Sequence, residues 1–222
     1  MDSQRILLRF SKEGDASYLS HRDLMRLFER ALRRAELPVR MSQGFNPHPK
    51  MSILLALPVG VEADQEAIEI DFEPPVAPEV VQQRLGAQLP EGIRVAEAQA
   101  LAPGEKPRPA EAVYEAELPS SVSITAADVE AFLARTDAVI ERSSPKGRRT
   151  LDVRPPVVAM SLEGERLTFR LRVGTQGTPR AEEVVGVLLT PHGADTACVR
   201  LRRTDLKLAT PSPGAREAND RA

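Results

Sequence analysis

The chain has 222 residues, 41% of them hydrophobic but only 4% aromatic, with no Trp and 30 basic against 32 acidic side chains for a formal net charge of −2. That size and apolar content suit one large or two small domains around an aliphatic core and exclude global disorder. The balanced charge excludes attraction of nucleic acid by the whole surface, so any basic site is local.

Cys198 is the only cysteine, which excludes an internal disulfide and a Cys-rich metal site and fits a reducing compartment. Met1 to Arg5 leads into an alternating run rather than the apolar core of a signal peptide, and no apolar run reaches the roughly 18–20 residues of a spanning helix. The expectation is a cytoplasmic protein with no membrane association.

Ile6, Leu8 and Phe10 alternate with Arg5 and Arg9, the pattern of a half-buried strand. Ser20, with Asp23 three residues on, caps a helix expected to run to about Glu36, before Pro38. At about 100° per residue, Leu24, Leu27, Phe28, Ala31 and Ala35 share one face of that helix. Arg22, Arg26, Arg30 and Arg33 share the other, as a solvated side or a phosphate-facing ridge. Val39 to Met41 is a short strand, Met51 to Leu57 an apolar run, and Ile68, Ile70 and Phe72 alternate with Glu69 and Asp71 as a further strand. Val80, Val81, Leu85 and Leu89 mark a second helix from Pro78, and Ile93 to Ala96 a closing strand.

The same order returns later in the chain. Val113–Leu118 is a strand, and Thr125 caps a helix with Val129, Phe132 and Leu133 facing inward. Strands follow at Ala138–Glu141, Leu151–Arg154, Val157–Leu162 and Leu167–Val173, with a basic turn at 143–150. A helix opened by Thr178-Pro179 carries Val184, Val185, Leu188 and Leu189, and Cys198–Arg202 closes the unit. The expected fold is α+β: two tandem ferredoxin-like, βαββαβ-type units, each with its helices on one face of an antiparallel sheet. The units are placed at 4–100 and 112–205, joined by a Pro-rich linker at 101–111 and followed by a disordered tail at 206–222.

Two loops stand out as candidate binding sites. Between Met41 and Met51 lie Gln43, Gly44, Phe45, Asn46, His48 and Lys50, with Pro47 and Pro49 fixing φ and biasing Asn46 and His48 toward extended geometry. Such a loop can offer amides, an imidazole and an ammonium to a phosphate or base edge, and Phe45 to a base face. The bland alternative is a stiff connection. The second loop gathers Lys146, Arg148, Arg149 and Arg154 around Gly147 with Asp152 the only acid, a density suited to a polyanion or to an ordinary charged turn. These loops are expected to line one groove. Catalytic signals are thin: His21, His48 and His192 are the only histidines, metal spacings and Gly-rich phosphate motifs are absent, and only His48 with Lys50 could support metal-independent RNA cleavage. Neither a metal nor a cofactor is expected.

The strings Tyr18-Leu19-Ser20-His21-Arg22-Asp23-Leu24, Gly44-Phe45-Asn46-Pro47-His48-Pro49-Lys50 and Leu57-Pro58-Val59-Gly60-Val61-Glu62 resemble the radical-SAM-associated protein family. The resemblance covers residues 4–205, most strongly 5–72, and Arg149 to Pro155 looks like that family's second-half motif. Its members occur alone or joined to a radical SAM protein, which implies such a protein as partner. The chain lacks the Cys-x-x-x-Cys-x-x-Cys cluster ligands, so it is not itself the radical enzyme. The expectation is a non-catalytic accessory that binds RNA or presents a substrate. A ribonuclease using His48 and a protein-only adaptor are the alternatives.

Overall fold

In the computed structural model, which describes residues 3–144, 147–174 and 178–209, the Ile6-Leu8-Phe10 alternation forms strand β1 (Gln4–Lys12). Those three side chains are fully buried. Ser20 caps helix α1 (His21–Arg34), its Oγ accepting the Asp23 N–H at 3.2 Å. Leu24, Phe28 and Leu32, each one helical turn apart, form the buried ridge, and the Phe28 ring meets Phe10 edge-on at 5.0 Å. Leu27, expected on that ridge, is only half-buried, and Leu32 takes its place.

Helix α1 ends two residues before the expected Glu36. Glu36 has φ 51°, its N–H donates to the Arg33 carbonyl at 3.1 Å, and the Leu37 N–H donates to that of Leu32 at 3.3 Å. This is a Schellman close, sealed by buried Leu37, with a glutamate where glycine is the usual occupant.

The first unit takes in the described residues up to Pro109 together with Leu208 and Ala209 at the end of the last strand. It continues with β2 (Met51–Ile53), β3 (Glu62–Phe72), α2 (Pro78–Gly86) and β4 (Ile93–Ala100). The strands run β2-β3-β1-β4, all antiparallel, with Ile6 opposite Ile70 and Leu8 opposite Ile68. Val81 and Leu85 of α2 join the same core as Leu24 and Phe28, so both helices cover one sheet face. Val80 points outward, because a helix starting at Pro78 turns Val81 and Leu85 inward together. The apolar run from Met51 is strand only to Ile53, and Val39 and Met41 contribute isolated bridges rather than a strand. The proline-rich stretch lies against this unit: buried Leu101 donates its N–H to the Arg5 carbonyl at 2.9 Å, and the Arg5 guanidinium donates to the Glu105 carbonyl.

The second unit is built on Ala110–Lys207. Its elements are β5 (Arg108–Glu117), α3 (Ala126–Ala134), β6 (Val139–Ser144), β7 (Gly147–Asp152), β8 (Val157–Glu163), β9 (Arg166–Arg172), α4 (Ala181–Leu189) and β10 (Arg200–Ala209). The sheet order is β8-β9-β5-β10, with β6 and β7 forming a separate hairpin. Thr125 and Asp128 make a reciprocal capping box on α3, whose Val129 and Phe132 are buried, and Val184, Val185, Leu188 and Leu189 of α4 complete the core. The expected basic turn at 143–150 is mostly strand, since the β6–β7 ladder continues from Val139 opposite Asp152 to Ser144 opposite Gly147. Strand β10 runs to Ala209, past the expected start of the tail at 206, because Leu201 and Leu206 are buried on it; residues 210–222 lie outside the described residues.

Each unit thus carries a hairpin at the same place in its order, between the first helix and the second sheet strand. Among the described residues no helix is long and apolar enough to cross a membrane.

Two substitutions test this account. Phe28→Ala should cost about 3–5 kcal/mol in urea unfolding, because it empties the space against Phe10. Glu36→Gly should stabilise by about 1 kcal/mol, since relief of the left-handed backbone outweighs an exposed ion pair with Arg84.

Candidate functional site

The hairpin of the first unit is closed at its base by a set of main-chain hydrogen bonds. Arg40 N–H donates to the Asp71 carbonyl at 2.9 Å, Asp71 N–H to the Lys50 carbonyl at 2.9 Å, and Lys50 N–H to the Arg40 carbonyl at 2.8 Å. These three hydrogen bonds close a ring among the two arms and the end of β3. One step outward, Ser42 N–H donates to the His48 carbonyl at 2.7 Å, and His48 N–H to Ser42 Oγ at 2.9 Å. Met41 faces Pro49 between these pairs, at a position whose missing N–H is not needed. Gly44 has φ 135° with open space around a notional Cβ, so backbone conformation rather than crowding calls for glycine.

The side chains at the tip point to no partner of their own. Gln43, Phe45, Asn46 and His48 are exposed and Lys50 is half-buried, and none of these five makes a side-chain hydrogen bond, ion pair or ring contact among the described residues. Phe45 has a relative exposure of 106%. Arg40, which sequence reasoning passed over, stands at the base beside Lys50, its Nε 3.3 Å from Glu73 and its Nη1 3.3 Å from Ser3 Oγ. A lone arginine in an alternating Val39-Arg40-Met41 run gave no signal of that position.

The hairpin of the second unit is held by side chains. In the β6–β7 ladder Arg142 lies directly opposite Arg149, a like-charge pairing that is unfavourable unless one charge is neutralised. Arg142 is neutralised: its Nε donates to Glu183 Oε1 at 2.6 Å and its Nη2 to Glu183 Oε2, a bidentate pair reaching the first turn of α4. Glu183 also accepts the Arg180 N–H at 2.7 Å. Burial alone would raise the Glu183 carboxyl, but the Arg142 hydrogen bond, the Arg180 N–H and the two guanidinium charges hold it below its ordinary value of 4.5. Sequence reasoning missed Arg142, which continues the Ile140 alternation just past the strand expected to end at Glu141.

The remaining predicted residues divide. Arg149 is exposed with no hydrogen bond or ion pair among the described residues, and exposed Arg148 reaches Glu141 at 3.5 Å. Arg154 is turned inward: it donates to the carbonyls of Val157 at 2.9 Å and Leu133 at 2.6 Å and lies 5.8 Å over the Phe132 ring. It is half-buried and braces the hairpin's return. Lys146 lies outside the described residues. On α1, Arg22, Arg26, Arg30 and Arg33 are all exposed. Arg26 pairs with Asp23 at 4.0 Å and Arg33 with Glu29 at 3.8 Å, whereas Arg22 and Arg30 pair with nothing among the described residues. The described residues contain no cluster of three or more His, Cys, Asp or Glu side chains placed for a metal ion.

The chain belongs to a family described as an uncharacterized protein conserved in bacteria (DUF2344), whose profile matches residues 5–182. That description names neither an activity nor a partner. No curated protein matches the chain. Among solved structures it is similar to a chain of a Cbf5-Nop10-Gar1 complex, with 13% identity and a TM-score of 0.44 over 90% of this chain and 48% of that one. The chain therefore spans about half the length of that relative. It is also similar to an unknown protein from Galdieria sulphuraria, with 16% identity and a TM-score of 0.30 over 94% of this chain and 99% of that one.

The Arg142–Glu183 pair makes stability depend on pH with a definite sign. The folded Glu183 carboxyl titrates below its unfolded value, so its contribution is complete above that value and is lost as pH falls through the depressed one. Glu183→Gln should therefore lower the urea midpoint at neutral pH, and the gap to wild type should close in strong acid. A gap that persists unchanged at low pH would assign the effect to packing.

Proposed function

We propose that this chain is an RNA-binding module that holds or presents an RNA to a radical SAM partner. The observation that carries the binding reading is the first hairpin: a base closed by the main chain and a tip whose side-chain amides, imidazole and aromatic ring have no partner among the described residues. Preorganised groups with no internal partner lose little on meeting a ligand. Of the candidate cations, Lys50, Arg149, Arg22 and Arg30 have no ion pair among the described residues and supply local charge in a chain of net charge −2. Within the first unit, the spread of Lys50 at the hairpin base and Arg22 and Arg30 on the helix suits a phosphate chain better than a compact anion.

The strand orders β2-β3-β1-β4 and β8-β9-β5-β10 support reading each unit as ferredoxin-like, with a hairpin inserted after the first helix. The partner rests on the resemblance of Gly44-Phe45-Asn46-Pro47-His48-Pro49-Lys50 to radical-SAM-linked proteins. Cleavage by His48 is the weaker reading. A general base is ordinarily oriented through its second ring nitrogen, and the His48 side chain has no hydrogen bond among the described residues.

Filter binding to a single-stranded RNA across a salt series tests the reading. Lys50→Ala and Arg149→Ala should each weaken binding and reduce the log–log salt slope by about 0.7. Arg154→Ala should instead lower thermal stability, because it frees two carbonyls. Binding that ignores salt, or no RNA binding at all, would overturn the proposal.

A further inference from the structure

Phe45 is the feature that polyanion binding leaves unexplained. Its ring is fully exposed and meets no other ring among the described residues; of the chain's other aromatics only Tyr18 is also exposed. Phe10, Phe28, Phe72, Phe132 and Phe169 are all buried. Holding a phenyl ring in water forgoes the free energy that burying it would return. Neither the core nor the hairpin base uses it.

We infer that Phe45 is a stacking platform for an unpaired nucleobase, so that the first hairpin takes single-stranded rather than duplex RNA. The inference rests on the RNA-binding reading above and adds the form of the substrate. A ring can lie flat only against a base face that is open, and in a duplex the faces are covered by neighbouring pairs. An A-form major groove is also too deep and narrow for side chains to read. The flanking groups agree. Gln43 and Asn46 flank Phe45 in sequence and His48 follows, all exposed, so the same short tip carries donors and acceptors for the edge of a stacked base. Lys50 lies further down the same arm, toward a backbone phosphate.

A protein-docking knob is the competing use of an exposed ring. Such knobs sit within contiguous apolar patches, whereas Phe45 stands among Gln43, Gly44, Asn46 and His48 with Pro47 the one apolar side chain beside it in the tip. Met41, the nearest exposed large apolar residue along the chain, lies at the hairpin base.

The absence of tryptophan makes the test direct. The F45W variant of the full chain carries a single indole at the tip. On titration with an oligouridine of about 12 nucleotides, its emission should be quenched, and a duplex of the same length should leave it unchanged. The F45L variant should bind the single strand about tenfold more weakly with an unaltered salt slope, because a phenyl ring displaces no counterions. Single-strand binding with a steep salt slope, no quenching in F45W and full affinity in F45L would overturn the stacking role while leaving the RNA-binding reading intact. Quenching by duplex as strong as by single strand would overturn it too. No binding of either RNA would end both readings. If F45L keeps its RNA affinity but loses a co-purifying protein, the ring is a docking knob and the inference fails. Because the side chain is exposed, both variants should keep the wild-type urea midpoint.

Discussion

The constraint on which the first unit's candidate site depends is the ring of main-chain hydrogen bonds joining Arg40, Lys50 and Asp71. Strand β3 pairs with β2 up to Ile70, bonds both hairpin arms at Asp71, and passes to Val39 at Phe72. The hairpin leaves the sheet where one strand changes partner. Its base can move only if the end of β3 moves, and that end is anchored by the buried side chains of Ile70 and Phe72. Core packing thus reaches the tip through backbone geometry.

The second unit solves the same problem by other means. Among the described residues, strands β6 and β7 pair with each other in a separate two-stranded sheet, so no neighbouring strand of the larger sheet fixes them. Their anchor is the bidentate Arg142–Glu183 pair to α4, helped by Arg154 on the carbonyls of Leu133 and Val157. Charge is used twice here. One arginine of the opposed pair is consumed as a strut, which leaves Arg149 to face solvent without a like charge pressing on it. An anchor made of ionised groups responds to acid, whereas one made of amides does not.

Periodicity made most of the fold legible. The Ile6-Leu8-Phe10 and Ile68-Ile70-Phe72 alternations settled two paired strands, and the Ser20 and Thr125 caps settled two helix starts. Where the sequence misled, a local pattern met a tertiary decision. The apolar run from Met51 to Leu57 pairs with β3 as strand only to Ile53, followed by the Leu54 N–H donating to the Ala67 carbonyl. The basic stretch near Gly147 looked like a loop because charge and glycine suggest turns, yet ladder pairing carries it as strand. Arg154 looked like one more cation. Its inward turn depends on two carbonyls, one of them far back at the end of α3, which no spacing rule reveals. The side chains of the first tip were legible as candidates because two prolines and a glycine isolate them. That they lack internal partners was not.

A closure built only from amides and carbonyls is indifferent to the identities of the residues it displays. Apart from Ser42, whose hydroxyl accepts an N–H, and Gly44, whose φ is restrictive, the positions from Gln43 to His48 bear no structural duty toward the rest of the unit. The segment is in effect a cassette. Its lettering can be rewritten, or another loop of equal length spliced in, without asking the fold to be solved again.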